Sequence, residues 1–201
     1  MTTLAYKPAQ PDMTVNQSDA EDAVRTLLRW IGDDPDREGL RETPARVAKA
    51  FAEWFSGYKQ NTSLILSKTF GEIERYDDIV HLRGIRLESY CEHHLAPIIG
   101  TADVAYAPRE RVVGLSKLAR LVDAYAKRLQ VQEKLTAQIA NAIDATLNPK
   151  GVAVLIRAEH HCMSTRGVHK HGVDTITNRF TGVFQNDPVL QQRFLSFAKG
   201  S

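Results

Sequence analysis

Two short clusters rich in metal-binding side chains set the tightest restriction on how this chain can fold. Cys91-Glu92-His93-His94 places a thiolate, a carboxylate and two imidazoles in one turn of backbone, and His160-His161-Cys162 lies far downstream. The chain has only two cysteines and seven histidines, yet each cysteine has two histidines within three residues. We read the clusters as halves of one metal site, so any acceptable fold brings the two stretches together.

A thiolate and an imidazole three residues apart reach one ion from a single turn, and Zn2+ favours sulfur and nitrogen ligands at about 2.0 to 2.3 Å. Cys91 and His94 make the first pair. A structural zinc site closes with four protein ligands, whereas a catalytic one keeps three and leaves a position for water. With Cys162 the one remaining cysteine, the natural set is Cys91, His94 and Cys162. His93 and His160 or His161 are then left near the ion, where an imidazole moves protons at neutral pH. Alternation along the downstream strand sends His160 and Cys162 to one side and His161 to the other, which favours His160. Glu92 reads equally as support for the site or as an exposed loop carboxylate. Other readings stay open: buried thiols with no ligand role, a disulfide formed on oxidation, or a metal-free Cys91 nucleophile activated by His93.

The chain is long enough to bury a sizeable core without disulfides: at 201 residues a single domain removes roughly 70% of its unfolded surface from water. A balance of 26 basic against 24 acidic residues leaves a net charge of +2, which gives no global sign of a nucleic-acid or membrane surface. Residues 1 to 10 lack a basic segment followed by an apolar core, and no apolar run approaches the ~20 residues that span a bilayer. A cytoplasmic location is expected, where two cysteines point to metal or reactivity before a disulfide.

Along the chain, residues 1–17 read as a flexible arm and 18–201 as one catalytic domain, with a helical part over about 18–60 and a core over about 75–201. Ser18 with Glu21 resembles a capping box for a helix to about Trp30. Thr43 before Pro44 reads as the cap of a second helix, with Val47, Ala50, Phe51 and Trp54 as its buried stripe, closed by Gly57. Alternation over 79–90 gives a strand interrupted near Gly84, with Ile79, His81, Arg83, Ile85, Leu87 and Ser89 on one face. A strand over about 98–106 follows, then a helix capped by Ser116 and a second over about 132–147. Strands over 151–159 and 174–184 precede a terminal helix from Asp187. Two strands, two helices and two strands make an α+β arrangement with a mostly antiparallel sheet.

A cationic group accompanies the metal ligands. Gly114-Leu115-Ser116-Lys117 places a hydroxyl, free amides and a lysine at a helix start, which suits a phosphate. Arg120 lies one turn further on, Arg166 is close to Cys162 in sequence, and Arg46 follows the Thr43-Pro44 cap; each alone also reads as a solvated charge. Glu133 near the start of the next helix either favours the helix dipole or accepts the N–H donors of a guanine edge, and spacing does not decide.

Six stretches together resemble the GTP cyclohydrolase I family: Glu42-Thr43-Pro44-Ala45-Arg46-Val47-Ala48, Cys91-Glu92-His93-His94, Gly114-Leu115-Ser116-Lys117-Leu118, Gln130-Val131-Gln132-Glu133-Lys134-Leu135, His160-His161-Cys162 and Arg166-Gly167. The resemblance implies one Zn2+ on Cys91, His94 and Cys162, and conversion of GTP and water to 7,8-dihydroneopterin triphosphate and formate, the first step toward tetrahydrofolate and pterins. It implies proton transfer by His93 and His160, guanine held by Gln132 and Glu133, and triphosphate bound by Ser116, Lys117, Arg120 and Arg166, with Arg46 reaching in from a neighbouring subunit. It also implies the tunnelling fold, an antiparallel four-stranded sheet with an αα-hairpin between strand pairs, whose sheets join into a barrel in a decamer of two pentamers. Ile98 and Ile99 stand where the family often has phenylalanine, and His161 where an aromatic is common. Two competing classes remain: a nitrile reductase of the same fold using Cys91 and NADPH, and a structural zinc module without activity.

Overall fold

The computed structural model describes residues 14–71, 74 and 76–198. The arm expected over 1–17 lies, up to residue 13, outside the described residues. Contacts between Cα atoms divide the chain into two compact units, Met1–Tyr58 and Lys59–Ser201.

The first unit is a helix pair, α1 (Gln17–Trp30) and α2 (Thr43–Trp54). The cap of α1 sits two residues before the expected Ser18. The Asn16 side chain accepts from the Asp19 amide at 3.2 Å, and Asp19 Oδ2 accepts from the Asn16 amide at 2.7 Å. Asparagine caps as well as serine does, and an acid three residues later closes the reciprocal box. In α2 Thr43 is already helical, and Glu42 holds the cap position without a side-chain bond. The expected buried stripe is only partly so: Val47 and Ala50 are half-buried, but Phe51 and Trp54 are 38% and 40% exposed. Phe51 stacks instead on its own helix end, 5.7 Å from Trp54 and 5.3 Å from Phe55 between ring centroids. Helix α2 ends before Gly57, which is buried in a 3-10 turn over Ser56–Lys59.

The second unit runs α3 (Thr62–Ile65), β1 (Thr69–Phe70), β2 (Val80–Cys91), β3 (Pro97–Ala107), β4 (Val112–Val113), α4 (Leu115–Ala126), β5 (Leu129–Gln130) and α5 (Gln132–Leu147). It continues with β6 (Gly151–His160), α6 (His161–Ser164), β7 (Asp174–Phe180), α7 (Val183–Asn186) and α8 (Pro188–Ala198). The main sheet has the order β5-β2-β3-β6-β7, antiparallel throughout except where β5 joins the end of β2 in parallel. This is the expected α+β tunnelling topology, with the α4–α5 hairpin between strand pairs. Three two-residue strands, β1, β4 and β5, are additions that no alternation announces. Strand β7 stops at Phe180 rather than Phe184, because Gly182 turns the chain at φ +53° into α7. Ser116 does not cap α4; Gly114 occupies that position.

The sheet is packed on both faces. On one, Leu87, Val104 and Ile156 meet Leu118, Leu121, Ile139 and Ile143 of α4 and α5. On the other, Ile79, Ala105, Ala153 and Leu155 meet Phe184 and Phe194 of α7 and α8. The register of β2 against β3 shifts between Leu82 and Ile85, where Gly84 has φ +69°. One extra residue reverses which face each side chain takes. The single face expected from Ile79 to Ser89 is therefore split: Val80 and Leu82 join Ile85, Leu87 and Cys91 under the helix pair, whereas Ile79 faces α8. His81, likewise turned, has its ring 5.0 Å from that of Phe194. Buried Asp103 receives the Gly84 amide at 3.1 Å and so secures the bulge.

Candidate metal centre

Strand β2 carries Cys91 at its last position, and a tight turn follows. The Cys91 amide donates to Ala96 O at 2.8 Å, and the Leu95 amide returns to Cys91 O at 2.8 Å with Leu95 at φ +55°. The Glu92 amide donates to Gln130 O at 3.0 Å, which extends the parallel pairing with β5 and fastens the turn to the approach of α5. A second fastening is the ion pair of Glu92 with Lys134 on α5, at 2.5 Å. Glu92, which the sequence left between two readings, is thus a half-exposed structural partner. Lys134 was missed as a contact; its one signal was its place directly after Glu133.

The antiparallel pairing of β3 with β6 sets His160 opposite Ile98, at the end of the sheet where the Cys91 turn lies. Strand β6 stops there, so Cys162 is placed by the one-turn helix α6 and not by strand alternation as expected. The ligand atoms of Cys91, His94 and Cys162 all lie within 4.8 Å of one another. Cys91 is buried, Cys162 half-buried and His94 exposed, and both cysteines are free thiols. Burial first, and then the neighbouring Cys91 thiol, push the Cys162 thiol above its ordinary range, with Arg166 pulling the other way. Two crowded thiols and an imidazole are a donor set that a soft divalent ion would suit, because it favours the thiolate forms that crowding disfavours.

The expected proton carriers take different positions. His93 Nδ1 is 3.9 Å from Cys91 Sγ, its ring edge-on to that of His94 at 6.3 Å. His160 is half-buried, and its Nε2 lies 2.7 Å from Gln132 Oε1. Burial holds the His160 imidazole below its usual range, offset in part by the Glu133 carboxylate. Gln132 is only 1% exposed, and its amide nitrogen contacts Ile156 O at 3.2 Å, Thr175 O at 2.9 Å and Thr177 Oγ1 at 3.1 Å. Sequence proximity put Gln132 beside Glu133; its partners on β6 and β7 are distant in the chain and were not foreseeable.

Of the cationic set, Arg166 donates to His94 Nε2 at 2.9 Å and so stands at the candidate metal ligands. Ser116 and Arg120 are exposed and Lys117 half-buried on the first turns of α4, with no side-chain hydrogen bond or ion pair joining them to the cluster among the described residues. Arg46 lies in the first unit, paired with Glu42 at 2.5 Å. His169 and His171 are exposed, and His169 has φ +51°. No helix among the described residues is long and apolar enough to cross a membrane.

The family model for GTP cyclohydrolase I matches residues 20–199. A GTP cyclohydrolase 1 of Hyphomonas neptunium is 59% identical over 181 residues, 90% of this chain and 88% of that protein. One from Sinorhizobium fredii is 56% identical over 184 residues, 92% of this chain and 90% of its own length. Among solved structures, an archaeosine synthase QueF-like protein in the apo form aligns with 52% of this chain and 93% of its own, at 24% identity and a TM-score of 0.44.

Proposed function

The chain belongs to the GTP cyclohydrolase I family, and from that premise we propose that it converts GTP and water to 7,8-dihydroneopterin triphosphate and formate. The observation that carries this reading to a site is the convergence of Cys91, His94 and Cys162 within 4.8 Å, beside His93, His160 and Arg166. Zn2+ is the ion this sulfur and nitrogen set fits, held by those three side chains, and when bound it supplies the Lewis acidity that activates water at neutral pH.

The protein side chains do the rest. Opening the purine's five-membered ring at C8 needs a proton at a ring nitrogen, and release of formate needs a second hydrolysis. His160, anchored through Nε2 and kept neutral by burial, is suited to exchange that proton, and His93 is a second carrier next to Cys91. Glu133, exposed at the start of α5, takes the guanine N–H donors, with Gln132 beside it. Ser116, Lys117, Arg120 and Arg166 take the triphosphate, helped by the free amides at the start of α4. Arg46 completes this set from a neighbouring copy in a decamer of two pentamers, whose sheets join into a barrel. The enzyme acts in the cytoplasm.

Metal-loaded protein incubated with GTP is expected to give a fluorescent pterin after oxidation and one formate per turnover; absence of both overturns the reading. Lys117→Ala and Arg166→Ala are expected to weaken GTP binding, and a purely structural zinc module would show no response to either.

A further inference from the structure

Gln132 links His160 to a pair of threonines, and the direction of the link follows from the chemistry of its ends, the two amide hydrogens of Gln132 being shared among three acceptors. Ile156 O and Thr175 O are backbone carbonyls that only accept, so the Gln132 atom facing them at 3.2 and 2.9 Å is the amide nitrogen. Its oxygen therefore faces His160, and across 2.7 Å the His160 Nε2 must be the donor. On the other side, Thr136 Oγ1 donates to Gln132 O at 2.8 Å, its one hydrogen thereby spent on the preceding turn of α5. The 2.6 Å contact between the Thr136 and Thr177 hydroxyls is then filled by the hydrogen of Thr177, which leaves a Thr177 lone pair for the Gln132 amide at 3.1 Å. Thr136 and Gln132 are each 1% exposed, so water does not replace a lost partner freely.

We propose that Thr136 and Thr177 are positioning residues, whose one-way hydrogen-bond relay acts with the Ile156 and Thr175 carbonyls to hold the Gln132 amide, so that His160 keeps Nε2 as donor and Nδ1 as its one nitrogen available to substrate. The two threonines come from α5 and β7, so the relay ties the helix that carries Glu133 to the strand next to β6. This rests on the proposed role of His160 in proton transfer. An imidazole presented with the opposite nitrogen protonated, or free to rotate, loses the transfer step while substrate still binds.

The test uses the full-length, metal-loaded protein. Thr177→Val keeps the shape and removes the hydroxyl, and Thr177→Ser restores the hydroxyl. The valine variant is expected to lose about tenfold in kcat or more with KM, bound metal and thermal midpoint near those of the parent, and the serine variant to recover most of the loss. Thr136→Val and Thr136→Ser provide the same comparison from the helix side should a β7 variant misfold. Unchanged kcat in the valine variants, equal loss in valine and serine variants, or a loss confined to KM overturns the relay. His160→Asn separates the two readings: full turnover in that variant sinks the role of His160 itself, whereas an inactive His160→Asn beside fully active threonine variants sinks the relay alone.

Discussion

Arg193 on α8 and Asp78 just ahead of β2, 115 residues apart, meet through two parallel contacts of 2.7 Å. The guanidinium first, and the Ile79 amide second, hold the Asp78 carboxyl below the usual carboxylate range. Both partners are open to solvent, so the pair adds little to global stability and acts as a local tether. A depressed carboxyl contributes above its unfolded value of about 3.9 and loses that contribution as pH falls through the folded value. Protection factors of the α8 amides, corrected for the intrinsic exchange rate at each pH, are therefore expected to fall in that acid window. Asp78→Asn should show the lowered protection at all pH values, with the acid step gone; an unchanged step would show that the tether is unimportant.

Gly100 allows β3 and β6 to approach. A Cβ there would lie 2.0 Å from Arg157 O and 2.6 Å from Ala158 Cα, and backbone cannot move aside as a flexible side chain can. Gly100→Ala is expected to cost about 3 kcal/mol, a fall in thermal midpoint of about 6 to 12 °C for a chain of this size. Gly71 is the control, since its Cβ would meet nothing closer than 3.7 Å; Gly71→Ala should melt within about 2 °C of the parent.

Chelator-treated protein should show the strain between the two thiols. The Cys162 thiol is pushed up by burial and by Cys91, so the unfolded chain gives up this proton first. The stabilising contribution is complete below the unfolded value near 8.5 and is lost as pH rises from there toward the folded value. Denaturant midpoints measured from pH 7.5 upward are expected to fall for the metal-free protein and to flatten in Cys162→Ala. A fall of the same size in that variant would assign the effect elsewhere.

Local chemistry was legible where it decided the outcome. Gln132 opens α5 and Leu147 ends it as read from the sequence, and Asn148 stops the helix at φ +44°. Gly84 announced an interruption, but not that it would exchange the two faces of β2, because a bulge is defined against a partner strand. Ser18 and Ser116 carry the right chemistry for caps, and lost to Asn16 and Gly114 because the helices start earlier than each serine. The metal cluster could be proposed from spacing because cysteine and histidine are both rare in the chain. The surroundings of Gln132 could not, since Thr175 and Thr177 are ordinary strand residues until the sheet is closed.

The bulge at Gly84 also makes the candidate metal site a matter of parity. Before it, even-numbered side chains of β2 face α4 and α5; after it, odd-numbered ones do, and Cys91 is the last of these. Removing Gly84 alone would close the bulge and leave Cys91 on its own face by plain alternation from Leu82, whereas removing a pair of residues there would hand the Cys91 side chain to the α8 face of the sheet. The sulfur's address is thus kept by a count of residues seven positions away, and a shortened chain could retain every ligand and still be unable to assemble them.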